Sequence, residues 1–213
     1  MTHKINGLFL GELVPDTTVG GCIEIFENVW PDPADVISSV EQLVTTPDSG
    51  VYWQRASTIG AGPFQQMRTN KLMPITHLAE VADSGVLQNI NNQFYTLLLS
   101  AGNSYAKRFG IHETFWHEGY QLLKYGVGEE YKAHYDSTTN TGRIISALCY
   151  LNSDFEGGEL EFINFGIKIK PQPGMLILFP SNYAYTHVAH PVTSGTKYSL
   201  VTWIRDRDDG DRT

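Results

Sequence analysis

Near residue 117 the hydrophobic pattern of this chain changes period, and that change constrains its fold more than any other feature. Upstream, apolar residues recur at helical spacing; downstream they recur at every second position. The pattern predicts strands over 120–125 and 131–136, joined by the turn Gly126-Val127-Gly128. Residues 144–151 are apolar on both faces, which suits a central strand covered on both sides. Gly157-Gly158 and Pro171-Gln172-Pro173-Gly174 mark turns. Further strands are predicted over 159–163, 167–170, 175–179, near His187, and over 197–204. About eight short strands punctuated by turns point to a sandwich or a jelly-roll barrel.

The first half is its support. Residues 22–26 alternate as a strand. A helix is predicted from Pro33, with Asp32 as N-cap and proline at the first helical position. Val36, Ile37, Val40, Leu43 and Val44 mark its apolar face. Residues 46–63 are rich in turn formers. A second helix is predicted over 86–109, with Leu87, Ile90, Phe94, Leu97, Leu98 and Ala101 on one face and Gly110 ending it. The fold class is therefore α+β and mainly β. Its 213 residues suit one domain, with 1–115 as strand and helix support and 116–206 as the core.

Composition narrows the function. With 41% apolar residues the chain can bury a sizeable core, and a net charge of −8 argues against a nucleic-acid partner. No run approaches the ~18 apolar residues of a membrane span. The opening residues carry only a short apolar stretch followed by an acid, unlike a secretory signal. Cys22 and Cys149 have no C-x-x-C spacing and read as reduced thiols, which favours a reducing, cytoplasmic setting.

The chemistry gathers around His134-Tyr135-Asp136. On a strand, residues two apart share a face, so His134 and Asp136 aim together and Tyr135 aims away. With 7 His and 11 Asp in 213 residues, chance supplies one His-x-Asp in roughly a third of such chains. A third imidazole raises its value. His187 and His190 compete for that place, and His187 is preferred because Pro191 ends pairing near His190. Two imidazoles and a carboxylate can hold iron(II) on one face and leave three positions open. Zinc is the rival metal, but no H-E-x-x-H helix is present.

Residues 197–203 alternate again. Lys197, Ser199, Val201 and Trp203 share one face, and Tyr198, Leu200 and Thr202 the other. A buried ammonium needs a partner. Either a ligand carboxylate supplies it, or Lys197 snorkels from an edge strand.

These elements fall in a familiar order. Tyr125-Gly-Val-Gly-Glu-Glu-Tyr131-Lys-Ala-His134-Tyr-Asp136 is followed by Tyr150-Leu-Asn152, Gly157-Gly158-Glu-Leu160, Pro173-Gly174 and Phe179-Pro-Ser181. His187-x-x-x-Pro191-Val192-x-x-Gly195-x-Lys197 and Trp203 complete the series. Over roughly residues 117–204 the chain resembles the prolyl 4-hydroxylases, iron(II)- and 2-oxoglutarate-dependent dioxygenases with a double-stranded β-helix core. The resemblance implies that His134, Asp136 and His187 bind Fe(2+), and that Lys197 pairs with the distal carboxylate of 2-oxoglutarate. It implies cosubstrate contacts from Tyr125, Tyr150, Thr139 and Trp203, and substrate contacts from Arg143, Tyr131 and Trp203. By strand parity, Arg143 lies at an odd spacing from Tyr150 and faces away unless it precedes the strand proper.

The implied reaction consumes O2 and 2-oxoglutarate, releases succinate and CO2, and hydroxylates a proline-containing peptide or protein; ascorbate is a further candidate cofactor. A lysine anchor is similar to the collagen-type branch, whereas the oxygen-sensing branch uses arginine. The related nucleic-acid demethylases carry an arginine six residues past their anchor, where this chain has Trp203. The chain looks like the compact bacterial, algal and viral members. A virus-encoded protein acting in a host cytoplasm, as a monomer or homodimer, fits that pattern. Two alternatives stand: the same chemistry on another residue or a small molecule, and a non-catalytic jelly roll that binds metal or ligand.

Overall fold

The computed structural model describes residues 13–56, 67–82, 84–111, 116–137 and 141–205, together with the backbone of 3–5 and 8–10. An antiparallel pair, β1 (His3–Ile5) and β2 (Leu8–Leu10), precedes β3 (Thr17–Val19) and β4 (Ile23–Phe26). Helix α1 (Pro33–Thr45) leads to β5 (Gln54–Arg55), β6 (Lys71–Pro74), α2 (Ile75–Val81) and α3 (Gly85–Phe109). The strand-rich half contains β7 (Trp116–His117), β8 (Gln121–Tyr125), β9 (Tyr131–His134), β10 (Arg143–Tyr150), β11 (Phe155–Gly157) and β12 (Leu160–Phe162). It continues with β13 (Ile167–Ile169), β14 (Leu176–Pro180), β15 (His187–Ala189), β16 (Val192–Gly195) and β17 (Lys197–Arg205).

A large antiparallel sheet runs β3-β4-β14-β10-β17-β8-β6-β5, with β7 also paired to β17. A small one runs β13-β12-β15-β9, and β11 pairs with β16. The two sheets enclose shared apolar clusters: Tyr150, Ile177 and Phe179 of the large sheet pack with Leu160, Phe162 and Ile169 of the small one. This is the double-stranded β-helix, or jelly roll. On the other face of the large sheet, Ile145, Ala147, Cys149, Leu178 and Leu200 pack against Val40 of α1 and Leu87, Phe94, Leu98 and Ala101 of α3. Strand parity thus sorts β10 and β17 between a helix side and a barrel side.

The helices form where their caps and faces allow. Ser84 caps α3 by accepting from the Leu87 N–H, and Gly110 ends it with φ 65°. Asp32 occupies the N-cap position of α1, but its side chain makes no capping bond; Pro33 at the first helical position starts that helix. The segments β5, β6 and α2 were not anticipated. Each is short, and β6 ends on Pro74, so neither period builds up. From Trp116 onward there are eleven strands among the described residues, against about eight expected, because edge strands of two to four residues leave little pattern. Among the described residues no helix is long and apolar enough to cross a membrane.

Candidate metal centre

His134 ends β9 and His187 begins β15. The two strands are neighbours, and these residues stand directly opposite each other. Cross-strand partners bring side chains together, so both imidazoles enter the barrel from one edge of the small sheet. Asp136 arrives differently. The prediction ran the strand through 136, but β9 stops at His134. The N–H groups of Asp136 and Ser137 both donate to the Ser181 carbonyl, at 3.0 and 2.8 Å. That grip bends the chain toward the end of β14 and lets the carboxylate meet the imidazoles without strand parity.

The ligand atoms of His134, Asp136 and His187 all lie within 4.8 Å of one another. His134 Nε2 is 3.6 Å from Asp136 Oδ1, and His187 Nε2 is 3.7 Å from Asp136 Oδ2. These gaps are too long for hydrogen bonds, yet one ion with donor bonds of about 2 Å can touch both sides. The outer atoms are committed. His134 Nδ1 donates to the Lys132 carbonyl at 2.7 Å, and His187 Nδ1 donates to that of Tyr185 at 3.0 Å. A carbonyl can only accept, so Nδ1 holds the proton and Nε2 offers a lone pair. Ser146 Oγ donates to Asp136 Oδ2 at 2.6 Å and contacts Ser181 Oγ at 2.8 Å, orienting the carboxylate.

Electrostatics agree with that donor set. Burial, with the nearby His187, drives His134 down to about 3, so its ring is neutral. Burial raises Asp136, but His187, His134 and the Ser146 hydrogen bond outweigh it and hold the carboxyl below its ordinary value. A neutral His134 imidazole beside an ionised carboxylate suits a divalent cation.

Deeper in the barrel lies Lys197, at 1% exposure. Its Nζ donates to the Gly158 carbonyl at 2.8 Å and sits 4.3 Å from the centre of the Tyr125 ring. Burial outweighs the attraction of Glu159 and brings the ammonium down to about 7. A buried cation with one carbonyl and one ring for company suits an anionic ligand. The cavity beside the cluster is walled by Tyr125, Leu148, Leu160, Ala189, Val201 and Trp203, and the Tyr125 ring links it to Lys197. Among the described residues the buried Trp203 indole N–H makes no hydrogen bond of normal geometry, although it is near enough to the Asp136 carboxylate to help hold it ionised.

The remaining predicted residues fall as follows. Tyr131 lines the cavity, and its ring stacks on His134 with centroids 3.5 Å apart. Tyr150 points to the barrel side but is packed among Ile23, Ile177 and Phe162. His190 leaves the cluster, and its Nε2 meets Glu161 Oε2 at 2.5 Å. Thr139 lies outside the described residues.

Arg143 is a correction. Parity turned it away, but the β10–β17 register shifts between Arg143 and Ile145. The bulge reverses its side, and its guanidinium lies 3.7 Å from the centre of the Trp203 ring. Its fork is held by Glu118, at 2.8 and 2.5 Å, and Nη1 reaches the Asp136 carbonyl at 3.3 Å. Arg68 was missed. It is buried in the cavity wall, with its guanidinium carbon 5.0 Å from the Tyr131 ring centre. No local pattern marks it, because it reaches the site through a bridge to Tyr131 across sixty residues of chain. Ser146 shares the barrel-side parity of Tyr150, so its direction was readable although its role was not.

Comparison with known proteins adds to this geometry. Residues 120–205 match the family model of the 2OG-Fe(II) oxygenase superfamily. The chain is 34% identical over 120 residues to probable prolyl 4-hydroxylase 9 of Arabidopsis thaliana, covering 43% of this chain and 42% of that one. It is 32% identical over 110 residues to a putative prolyl 4-hydroxylase of Acanthamoeba polyphaga mimivirus, covering 42% of this chain and 46% of that one. The aligned part spans less than half the length of these relatives. In structure it is similar to the viral collagen prolyl hydroxylase of Paramecium Bursaria Chlorella virus-1 in its 2OG complex. The TM-score is 0.59 at 22% identity, over 88% of this chain and 98% of that one. Iron(II) and 2-oxoglutarate are the metal and cosubstrate of the superfamily, and the His-Asp-His cluster and the buried lysine fit them. Over residues 120–205 the chain is thus similar to the 2OG-Fe(II) oxygenase superfamily, and the relatives it matches there are prolyl 4-hydroxylases by name.

Proposed function

We propose that this protein hydroxylates a prolyl residue of a peptide or protein, using Fe(2+), 2-oxoglutarate and O2 and releasing succinate and CO2. The observation that carries the reading is Lys197, a buried ammonium that forms no carboxylate ion pair among the described residues and lies against Tyr125, whose ring lines the same cavity as a three-ligand cluster. When bound, iron(II) and 2-oxoglutarate supply the oxidising chemistry that converts a C–H bond to C–OH.

The chain's own residues bind, orient and shield. His134, Asp136 and His187 hold the metal on one side and leave the cavity side open. Lys197 fixes the far carboxylate of the cosubstrate, and Tyr125 lies across that ammonium. Leu148, Leu160 and Val201 keep water from the space between. Tyr131 and Trp203 offer flat faces to the pyrrolidine ring of a proline, and the Arg143–Glu118 pair stiffens Trp203 from behind. No side chain of tuned proton affinity is needed, so the polar residues here are ligands and anchors.

The names of the relatives support a proline-containing, collagen-like substrate, and the mimivirus relative supports a viral setting. The free thiols Cys22 and Cys149 support a reducing, cytoplasmic one. The test is mass spectrometry of a proline-rich peptide incubated with protein, iron(II), 2-oxoglutarate and air, with and without ascorbate. A gain of one oxygen on proline, matched by equal succinate, is the expected result. Succinate release with oxygen gained on another residue would move the assignment to that residue.

A further inference from the structure

We propose that Gly157 and Gly158 are positioning residues for Lys197, and that by placing its ammonium they set the length of the dicarboxylate the site accepts. This rests on the cosubstrate reading above. Both glycines are left-handed, with φ 71° and 66°, a region that residues bearing a Cβ avoid. They stand where the β11–β16 register shifts, between Glu156 and Gly157.

The space around them is already used. A Cβ on Gly157 would lie 2.3 Å from the Pro191 carbonyl oxygen, so this backbone is pressed directly onto the chain entering β16. The Gly158 N–H donates to that same oxygen at 3.0 Å. A Cβ on Gly158 would lie 3.3 Å from Lys197 Cδ, 3.2 Å from Val192 Cγ2 and 3.0 Å from Phe155 Cε2. The carbonyl of Gly158 accepts from Lys197 Nζ. One residue therefore holds the lysine at two points, its bare Cα beside the stem and its oxygen at the head. The Tyr125 ring also lies against the ammonium, 4.3 Å from its centre. A cation held at both points keeps a constant distance from the metal ligands, and a ligand bridging the two must match that distance. A mismatch of one methylene costs a fitted site about tenfold or more in selectivity.

The test is anaerobic titration of the iron(II) protein with oxaloacetate, 2-oxoglutarate and 2-oxoadipate, which differ by one methylene each, read by the visible metal-to-ligand charge-transfer band. The unaltered protein should bind 2-oxoglutarate at least tenfold more tightly than either homologue. Gly158→Ala should weaken 2-oxoglutarate at least tenfold and cut that preference to threefold or less, with iron(II) affinity unchanged. Gly166→Ala introduces similar left-handed strain (φ 63°) with no heavy atom near the new methyl, at the turn before β13, and should leave the preference intact. Should Gly158→Ala fold poorly, Phe155→Leu/Gly158→Ala relieves the tightest neighbour and is compared with Phe155→Leu alone. Equal affinity for all three acids in the unaltered protein would overturn the proposal. So would an undiminished preference in either Gly158 variant. No band with any of the three acids would instead remove the cosubstrate reading itself.

Discussion

The large sheet has two faces, and its buried polar groups are treated differently on each. On the helix side the chain supplies charge and carbonyl partners from itself, although the Glu24 oxygens and the Trp53 indole N–H make no hydrogen bond among the described residues. Glu24 of β4, fully buried, lies 2.7 Å from Arg108 Nε of α3 in an ion pair. Thr202 Oγ1 donates to the Gly119 carbonyl, and the Tyr105 hydroxyl donates to that of Cys22. On the barrel side, among the described residues, Lys197 meets one carbonyl acceptor and one aromatic ring, and Trp203 Nε1 makes no hydrogen bond of normal geometry, its interaction being with the Asp136 carboxylate. The helix side pairs its buried charge within the chain; on the barrel side, the proposed metal and cosubstrate would supply the counter-charges. Stability and function are therefore separable across one sheet.

The comparison breaks most visibly at the candidate metal ligands. Asp136→Ala should lower succinate release at least a thousandfold, while the melting temperature of the metal-free protein moves less than for a helix-face truncation. Phe94→Ala, on the fully buried face of α3, should cost about 3–5 kcal/mol in denaturant unfolding and leave turnover of the folded protein within twofold. An equal loss of activity in both would contradict the separation. Ser146→Ala removes the hydroxyl that orients Asp136 and should weaken iron(II) binding by about 10–100-fold in a metal titration.

The smallest effect is in pH. Burial depresses Lys197 to about 7, so without cosubstrate it loses its proton as pH rises through that value. Above it, binding 2-oxoglutarate requires proton uptake, and affinity should fall about tenfold per pH unit. Stability has the opposite sign. Between about 7 and the ordinary lysine range the unfolded chain binds the extra proton, so the metal-free protein gains stability as pH rises, and Lys197→Met removes that slope in unfolding measured against pH.

Much of this was legible in the sequence because it rests on period. The alternation of residues 197–203 sorts Tyr198 and Leu200 to the helices and Lys197, Val201 and Trp203 to the barrel, as found. The face and end of α3 follow from its apolar spacing and Gly110. What stayed hidden depends on register and on distant contacts. No residue announces the bulge that turns Arg143 onto Trp203, and Asp136 reaches the cluster through the Ser181 carbonyl rather than through its strand. Arg68 belongs to the cavity only because β9 draws its segment in.

The central claim is that the barrel side is completed by iron(II) and 2-oxoglutarate, with Lys197 as the anchor. Its most direct test is the visible absorption of the protein under anaerobic iron(II) and 2-oxoglutarate. A weak charge-transfer band should appear in the intact protein, and Lys197→Ala should need at least a hundredfold more 2-oxoglutarate to produce it. No band in the intact protein, or the same titration curve in the variant, would contradict the account.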